Sequence, residues 1–374
     1  MKLLITAPFL LTVGGTEIET LITAQELANS GSFKKIEIFC PYHLELGNFQ
    51  DLAVNPNIKF KTYPDFFNNL YIKKINVFFR RLFHLKTSFI ENLFWFFQRL
   101  RGFDYIYILT STTQNYYIPI LNNFNPKNCL IKYTIVHEEG IESWKKKYLR
   151  ALKWNIVMSK GHQFYIANIL KSNNVIVQDI IIANEKRLLE CQSNRIYTFG
   201  MLCRFSEEKR IEHAISLINK LKLSGLDATL IIQGDGDERY SYRLKELIKD
   251  YGLQEYITLI KKNISPANTH LFYKNISFFL ITSQAETGPL TGLESMAAGV
   301  PVLSYNVGAM KERIGEHIHL VVNDFENMLR MAERLMNLSE IEYQNLSNSL
   351  RQTYISNCSN APKISTLENL FFQH

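Results

Sequence analysis

Short apolar runs rich in Val, Ile and Leu alternate along the chain with stretches whose apolar residues recur every three or four positions. The first half reads as strands over 2–7, 35–40, 105–109, 130–136 and 155–159, with a helix over 17–30. The second half reads as strands over 195–201, 228–233, 257–260, 278–282 and 302–304, interleaved with helices over 210–223, 240–251, 290–298 and 325–337. Strands that are apolar on both faces and separated by amphipathic helices predict parallel sheets covered by helices, an α/β class. The series occurs twice. A polar interval from Asn184 to Asn194 divides it into domains over 1–188 and 189–357, and a tail over 360–374 carries an amphipathic piece, Ile364 to Phe372, expected to pack back on the first domain. Open sheets of this kind take ligands at the carboxyl ends of their strands, so two of them face a ligand across a cleft.

Composition narrows the function classes. The 374 residues are 46% hydrophobic and 21% charged, as in a globular chain of about two domains. The opening run Leu3 to Val13 is apolar, but Thr6 and Pro8 interrupt it and Gly14-Gly15-Thr16-Glu17 stands where a leader's cleavage site belongs, so it reads as a first buried strand. No uncharged apolar stretch reaches the roughly 18 residues that a membrane span needs. Five cysteines without a C-x-x-C support neither a disulfide framework nor a zinc ribbon and fit a reducing cytosol.

The net charge of +7 is concentrated. Between Lys61 and Arg101 eight Lys/Arg face only Asp65 and Glu91, an excess of +6. Aromatic residues such as Tyr71, Phe78, Phe83 and Trp95 interleave with these cations over 60–103. Amphipathic helices with basic and aromatic faces lie in membrane interfaces and are drawn to anionic lipid. Peripheral membrane contact is therefore expected there, with core packing against the first sheet as the alternative. No nucleic acid partner is expected, because no RNP, zinc-finger or helix-turn-helix pattern accompanies the charge.

Candidate chemistry lies in the second half. An apolar strand ending near Thr282 leads to Ser283-Gln284-Ala285-Glu286-Thr287-Gly288-Pro289-Leu290, and a helix then runs to Gly299. Pro289 is read at the first helical position and Gly299 at the C′ position. Thr287 and Gly288 thus fall at a helix N-terminus, where free amides and the dipole favour a phosphate. Glu286 and Glu294 flank that site and offer acceptors for sugar hydroxyls. Taken singly, each is also what a solvated loop or helix carboxylate would give. A second segment, Gly200 to Ile211, puts Arg204 and Lys209 at a strand's carboxyl end, where a guanidinium fork and an ammonium can converge on one diphosphate. An ordinary charged first turn is the alternative, but Arg204 would then sit uncompensated. Gly14-Gly15 lets backbone approach a ligand closely or simply makes a tight turn. Gly234-Asp235-Gly236 is weaker still.

With these residues in view, the chain resembles a retaining glycosyltransferase of family 4, whose fold is GT-B: two Rossmann-like α/β/α domains facing across a cleft. The resemblance rests on Glu286 and Glu294 with seven residues between them, on Met296 to Val302 after them, on Arg204 with Lys209, on Gly14 to Glu17, and on Gly308 with Glu312. It is dense from Tyr197 to Gly315. It implies that Arg204 and Lys209 hold a donor diphosphate, that Glu286 touches the donor sugar and Glu294 the ribose, that the amides of Gly288 to Leu290 meet phosphate, and that Gly15 lines the groove. His137, ending the strand 133–136, matches a position that often carries a histidine facing the donor sugar, although a lone strand-end histidine is commonly structural. The pattern departs at Arg210, where a glycine commonly follows the lysine, and at Asn184, whose usual following glycine is missing.

Transfer from a nucleotide sugar requires a diphosphate leaving group to be neutralised as the glycosidic bond breaks. The expectation is a metal-independent, retaining enzyme without a cofactor, using a UDP-sugar in preference to a GDP-sugar and attacking from the face the leaving group departs. The acceptor is expected to be a glycan or lipid-linked molecule in bacterial surface polysaccharide assembly, lipopolysaccharide or capsule, at the inner face of the cytoplasmic membrane. A nucleotide-sugar 2-epimerase on the same fold and a non-catalytic glycan-binding homologue remain as alternatives.

Overall fold

The apolar runs pair into two sheets that are parallel throughout. The computed structural model describes residues 1–11, 14–49, 52, 55–137 and 139–373, so Val13, Glu138 and His374, which the sequence reading touches, lie outside the described residues. The chain divides into two units, Met1–Ile181 with Ala361–His374, and Ile182–Asn360.

The main sheet of unit 1 consists of β1 (Lys2–Thr6), β2 (Lys35–Phe39), β3 (Ile58–Lys61), β4 (Tyr105–Ser111), β5 (Cys129–Ile135), β6 (Trp154–Val157) and β7 (Val175–Val177), beside a separate short pair, Phe9–Leu10 with His43–Leu44. Their order in the sheet is β3-β2-β1-β4-β5-β6-β7. Ile5 lies opposite Ile38 on one side and Tyr107 on the other, so β1 is interior to the sheet, and the successive buried residues Leu3, Leu4 and Ile5 cover both of its faces. Helix α1 (Gly15–Asn29) buries Leu21, Ala24 and Leu27 in the core with Ile36 and Ile38. Charged groups also enter this interior. Lys132 on β5 forms an ion pair with Glu19 of α1, both buried, and its ammonium also donates to the Asp179 carbonyl at 3.0 Å. Burial pushes the Glu19 carboxyl up, and the Lys132 charge pulls it back.

The basic aromatic stretch folds as two helices, α2 (Leu70–Leu82) and α3 (Phe89–Gln98). Helix α3 seats Trp95 against Phe39, ring centroids 4.8 Å apart, whereas α2 buries no residue. Arg101, counted above among the local cations, is held instead by Glu37, with N–O distances of 2.8 and 2.6 Å. Helix α4 (Lys160–Leu170) starts at Ser159, whose hydroxyl accepts from the His162 amide.

Unit 2 contains β8 (Thr198–Leu202), α5 (Ile211–Leu223), β9 (Thr229–Gly234), α6 (Glu238–Asp250), β10 (Ile257–Lys261), β11 (Phe278–Ile281), α7 (Leu290–Ala297), β12 (Val302–Tyr305), β13 (Val321–Val322), α8 (Phe325–Met336) and α9 (Glu340–Asn357). The sheet order is β10-β9-β8-β11-β12-β13. Both sheets therefore count outward from their first strand and reverse beside it, the doubly wound Rossmann-like order.

Several boundaries differ from the sequence reading, each for a local reason. The strand expected from Arg195 begins at Thr198 because Tyr197 stands at φ +56°. The helix expected from Arg210 begins at Ile211, since Arg210 is itself left-handed at φ +45°. That is the conformation a glycine would adopt freely, so the departure noted at Arg210 is a non-glycine residue in a glycine geometry. Pro289 is the N-cap of α7, one position earlier than read. The polar interval 184–194 carries a short helix, Glu185–Leu189. The tail forms α10 (Asn360–Phe372), whose Leu367, Leu370 and Phe371 join the core of unit 1, with the Phe371 ring 5.3 Å from Phe33.

Candidate functional site

In unit 2 the strand order reverses between β8 and β11, the place where an open parallel sheet leaves a crevice beyond its carboxyl ends. The two segments singled out from sequence are the loops leaving those strands. They are joined directly: the Gln284 amide donates to the Glu208 carbonyl at 2.7 Å, and the Thr282 hydroxyl donates to the Lys209 carbonyl at 2.7 Å. A third loop braces them from behind. The Phe205 amide donates to the Asp235 carbonyl and the Asp237 amide to the Phe205 carbonyl, each at 2.9 Å. Gly234 is required for that approach, because a Cβ there would lie 1.8 Å from the Cys203 carbonyl oxygen.

The structure brings Lys209 and Glu286 together. The ammonium lies 2.6 Å from the Glu286 carboxylate, which also accepts from the Ser283 hydroxyl at 2.8 Å. Their side chains are 16% and 18% exposed, so the pair is open to a ligand yet largely shielded from water. Arg204 behaves differently. Its guanidinium contacts Glu208 at 3.1 Å and its side chain is 66% exposed, which corrects the expectation that it sits uncompensated.

Thr287, Gly288, Pro289 and Leu290 lead into α7, and no side chain caps that helix. In its first turn the Gly292 amide donates to the Pro289 carbonyl at 3.2 Å, and helix geometry gives the Leu290 and Thr291 amides no intrahelical carbonyl. The approach is fixed from the other side by the loop after β12. A Cβ on Gly308 would fall 2.6 Å from the Thr287 carbonyl oxygen, and the buried Arg313 donates to the Pro289 carbonyl at 2.8 Å.

Glu294 does not flank this tip in the manner expected. Its carboxyl is turned inward and buried, accepting from the Thr269 hydroxyl at 3.3 Å and the Tyr273 hydroxyl at 3.1 Å. Burial pushes it up to about 7, against the lowering effect of those hydrogen bonds. Tyr273 also donates to the Thr291 carbonyl at 3.0 Å. One hydroxyl proton cannot serve both acceptors, but a protonated Glu294 donating to Tyr273, which then donates to Thr291, satisfies all three groups.

His137 and Gly15 belong to unit 1. His137 follows β5 with an exposed side chain, its amide donating to the Thr112 hydroxyl at 3.0 Å and its carbonyl accepting from Gly140 at 3.0 Å. Gly15 opens α1, with free space where its Cβ would be. Sequence reasoning did not find Ser283, Glu208, Thr269, Tyr273 or Arg313. The first two stand three and four residues from Glu286 and Arg204, spacings at which local pairs form. The other three come from distant segments and left no local signal.

Residues 192–357 match the family model Glycosyl transferases group 1. Alpha-monoglucosyldiacylglycerol synthase of Streptococcus pneumoniae is 33% identical over 108 residues, which are 29% of this chain and 24% of that protein. The chain spans less than half the length of the curated relatives it matches. Among solved structures, Anabaena Alr3699/HepE in complex with UDP and glucose superposes with a TM-score of 0.76 at 13% identity, covering 100% of both chains. WaaG, a glycosyltransferase involved in lipopolysaccharide biosynthesis, superposes with a TM-score of 0.69 at 10% identity, again over 100% of each. These likenesses establish the fold as α/β with GT-B neighbours.

Proposed function

We propose, on the match of residues 192–357 to the family model Glycosyl transferases group 1, that the chain moves a sugar from a nucleotide-diphosphate donor to a glycan or lipid-linked acceptor, retaining configuration and without a metal. The observation that carries the proposal is the convergence of the Lys209–Glu286 pair and the uncapped tip of α7 on one strand-end crevice. A departing diphosphate needs positive charge and oriented amides already in place, since preorganised groups add no reorganisation cost in the transition state. Lys209, Arg204 and the amides of Gly288 to Leu290 supply them. Glu286, held by Lys209 and Ser283, is assigned to the sugar hydroxyls, and Glu294 to the ribose once its carboxyl turns outward. The acceptor hydroxyl attacks from the face that the phosphate leaves and gives its proton to a phosphate oxygen. His137 and Gly15 are proposed as substrate contacts in unit 1. UDP is favoured over GDP because an Anabaena neighbour of the same fold was solved with UDP and glucose. A role in surface polysaccharide is supported by the likeness to WaaG, and a lipid-linked acceptor by the diacylglycerol named in the pneumococcal relative. Residues 60–103 are proposed to touch the inner face of an anionic membrane.

Radiolabelled transfer from UDP-sugars tests the core of this. Lys209→Ala is expected to lower kcat by about 10² to 10³, the loss that follows removal of one charge-stabilising group. Glu286→Gln is expected to weaken the sugar's contribution while leaving UDP binding within a few-fold. If both variants transfer at the wild-type rate, the assignment is wrong.

A further inference from the structure

We propose that the turn joining α2 to α3 is a binding site for the phosphate of an anionic lipid headgroup. The proposal rests on the membrane-facing reading of residues 60–103 and gives it a defined point of contact.

Helix α2 is built as an outrigger. Its inner side serves α3: the Asn76 side-chain oxygen accepts from the Phe89 amide at 2.8 Å and from the Ser88 hydroxyl at 3.2 Å, and Phe79 stacks on Phe89 at 4.8 Å. Its outer side presents Tyr71, Phe78 and Leu82 in one stripe, 75, 61 and 56% exposed. Phe96 and Phe97 of α3 are also exposed. A soluble surface seldom leaves so many large apolar side chains together unless something covers them.

Where α2 ends, the surface forms a shallow, widely open depression lined by Arg80, Arg81, His84, Leu85 and Lys86. The chain closes α2 there with two reciprocal bonds, the Leu85 amide to the Arg80 carbonyl at 2.9 Å and the His84 amide to the Arg81 carbonyl at 3.2 Å. This arrangement covers carbonyls that would otherwise repel an anion at a helix C-terminus. It also requires a left-handed residue, and His84 occupies that place at φ +50° where glycine is usual. An imidazole held in strained backbone beside three cations points to a role that glycine would not fill. The carboxylate that acts electrostatically on Lys86, Glu142, is itself bonded to Lys145 at 3.0 Å, so the cations of this turn remain in excess. The apolar stripe beside the cations favours a lipid over a nucleic acid, whose backbone would leave Phe78 and Leu82 uncovered.

Co-sedimentation with phosphatidylcholine vesicles, with and without phosphatidylglycerol, tests the site in the full chain. Wild type is expected to bind only the mixed vesicles and to be released by salt. A diffuse field costs about fivefold for each cation removed, wherever it stands. Arg81→Gln with Lys86→Gln should therefore lose clearly more than the product of two such steps, and more than Lys73→Gln with Lys74→Gln on the same helix. Glycerol phosphate should compete. His84→Gly should raise the melting temperature by relieving the backbone yet weaken vesicle binding, a combination that a purely structural role does not give. Equal losses in the two paired variants, or undiminished binding by His84→Gly, overturn the site while leaving membrane contact standing. Capture of free phosphate or single-stranded RNA without vesicle binding overturns the lipid assignment. Failure of the wild type to bind any vesicle removes the membrane reading itself, with sugar transfer in solution unaffected.

Discussion

Glu294 binds its proton more tightly in the folded chain than in the unfolded one, because its folded value of about 7 exceeds the ordinary 4.5. The native state therefore holds the extra proton between those two values, and stability falls as pH rises through that window. The difference corresponds to about 3 kcal/mol above pH 7. Thermal unfolding of Glu294→Gln should match wild type near pH 4.5 and exceed it at pH 8; parallel curves would show that the carboxyl titrates normally. Arg313 offers a second check at this scale. Arg313→Leu removes the charged donor to the Pro289 carbonyl and leaves it only the 3.2 Å bond from the Gly292 amide, at a cost of about 1 to 3 kcal/mol. It should also shrink the melting shift that UDP produces, since the loop leading into α7 loses a support. The positions of Glu286, Lys209 and Arg204 at strand ends were legible in the sequence from spacing alone. What each one bonds to was not, because Thr269, Tyr273 and Arg313 arrive from other elements and only the folded sheet sets them beside the loop.

The elements that position the site are three loops leaving neighbouring parallel strands, tied to each other more by backbone than by side chains. Gly234 is the tightest point. Gly234→Ala must displace the Cys203–Phe205 segment, because a methyl group cannot stand 1.8 Å from a carbonyl oxygen. The expected result is lower stability together with weakened UDP binding, measured by calorimetry; unchanged UDP affinity would mean that the loop bearing Arg204 does not serve the ligand. The alternation of strands and helices was readable because β1, β4, β8 and β11 are buried on both faces and so carry unbroken apolar runs. Strand β3 was not. As the outer strand of its sheet it alternates Ile58, Lys59, Phe60, Lys61, half of it exposed, which resembles a loop. Helix α9 was missed because it buries Tyr343, Ser347, Leu350 and Tyr354 in a mostly polar sequence. Its capping box, Ser339 with Glu342, was the one local clue.

At the scale of the whole molecule, unit 1 is assembled from two separate stretches of chain. Leu367, Leu370 and Phe371 of α10 fill a space beside Phe33 and Tyr107 that residues 1–181 leave open. Each buried side chain of this kind contributes about 1.5 to 3 kcal/mol. Removing residues 361–374 should therefore destabilise unit 1 by roughly 5 kcal/mol or more while Ile182–Asn360 keeps its own transition, which two-step unfolding in urea would reveal; a single unchanged transition would show that α10 is dispensable. The tail's amphipathic pattern was visible in the sequence, but its full length was not, because Asn360 and Lys363 are anchored by polar bonds to the Ile182 and Ile180 carbonyls instead of by apolar spacing.

The same interruption sets an order of events during synthesis. Emerging from the ribosome, residues 1–181 meet a gap in their interior that stays unfilled until the entire second unit has been translated, whereas Ile182–Asn360 has every one of its own strands and helices in hand as soon as its last residue appears. The later-made half can thus finish first, and the nascent amino-terminal half must be kept from aggregating through its uncovered aromatic pocket in the meantime.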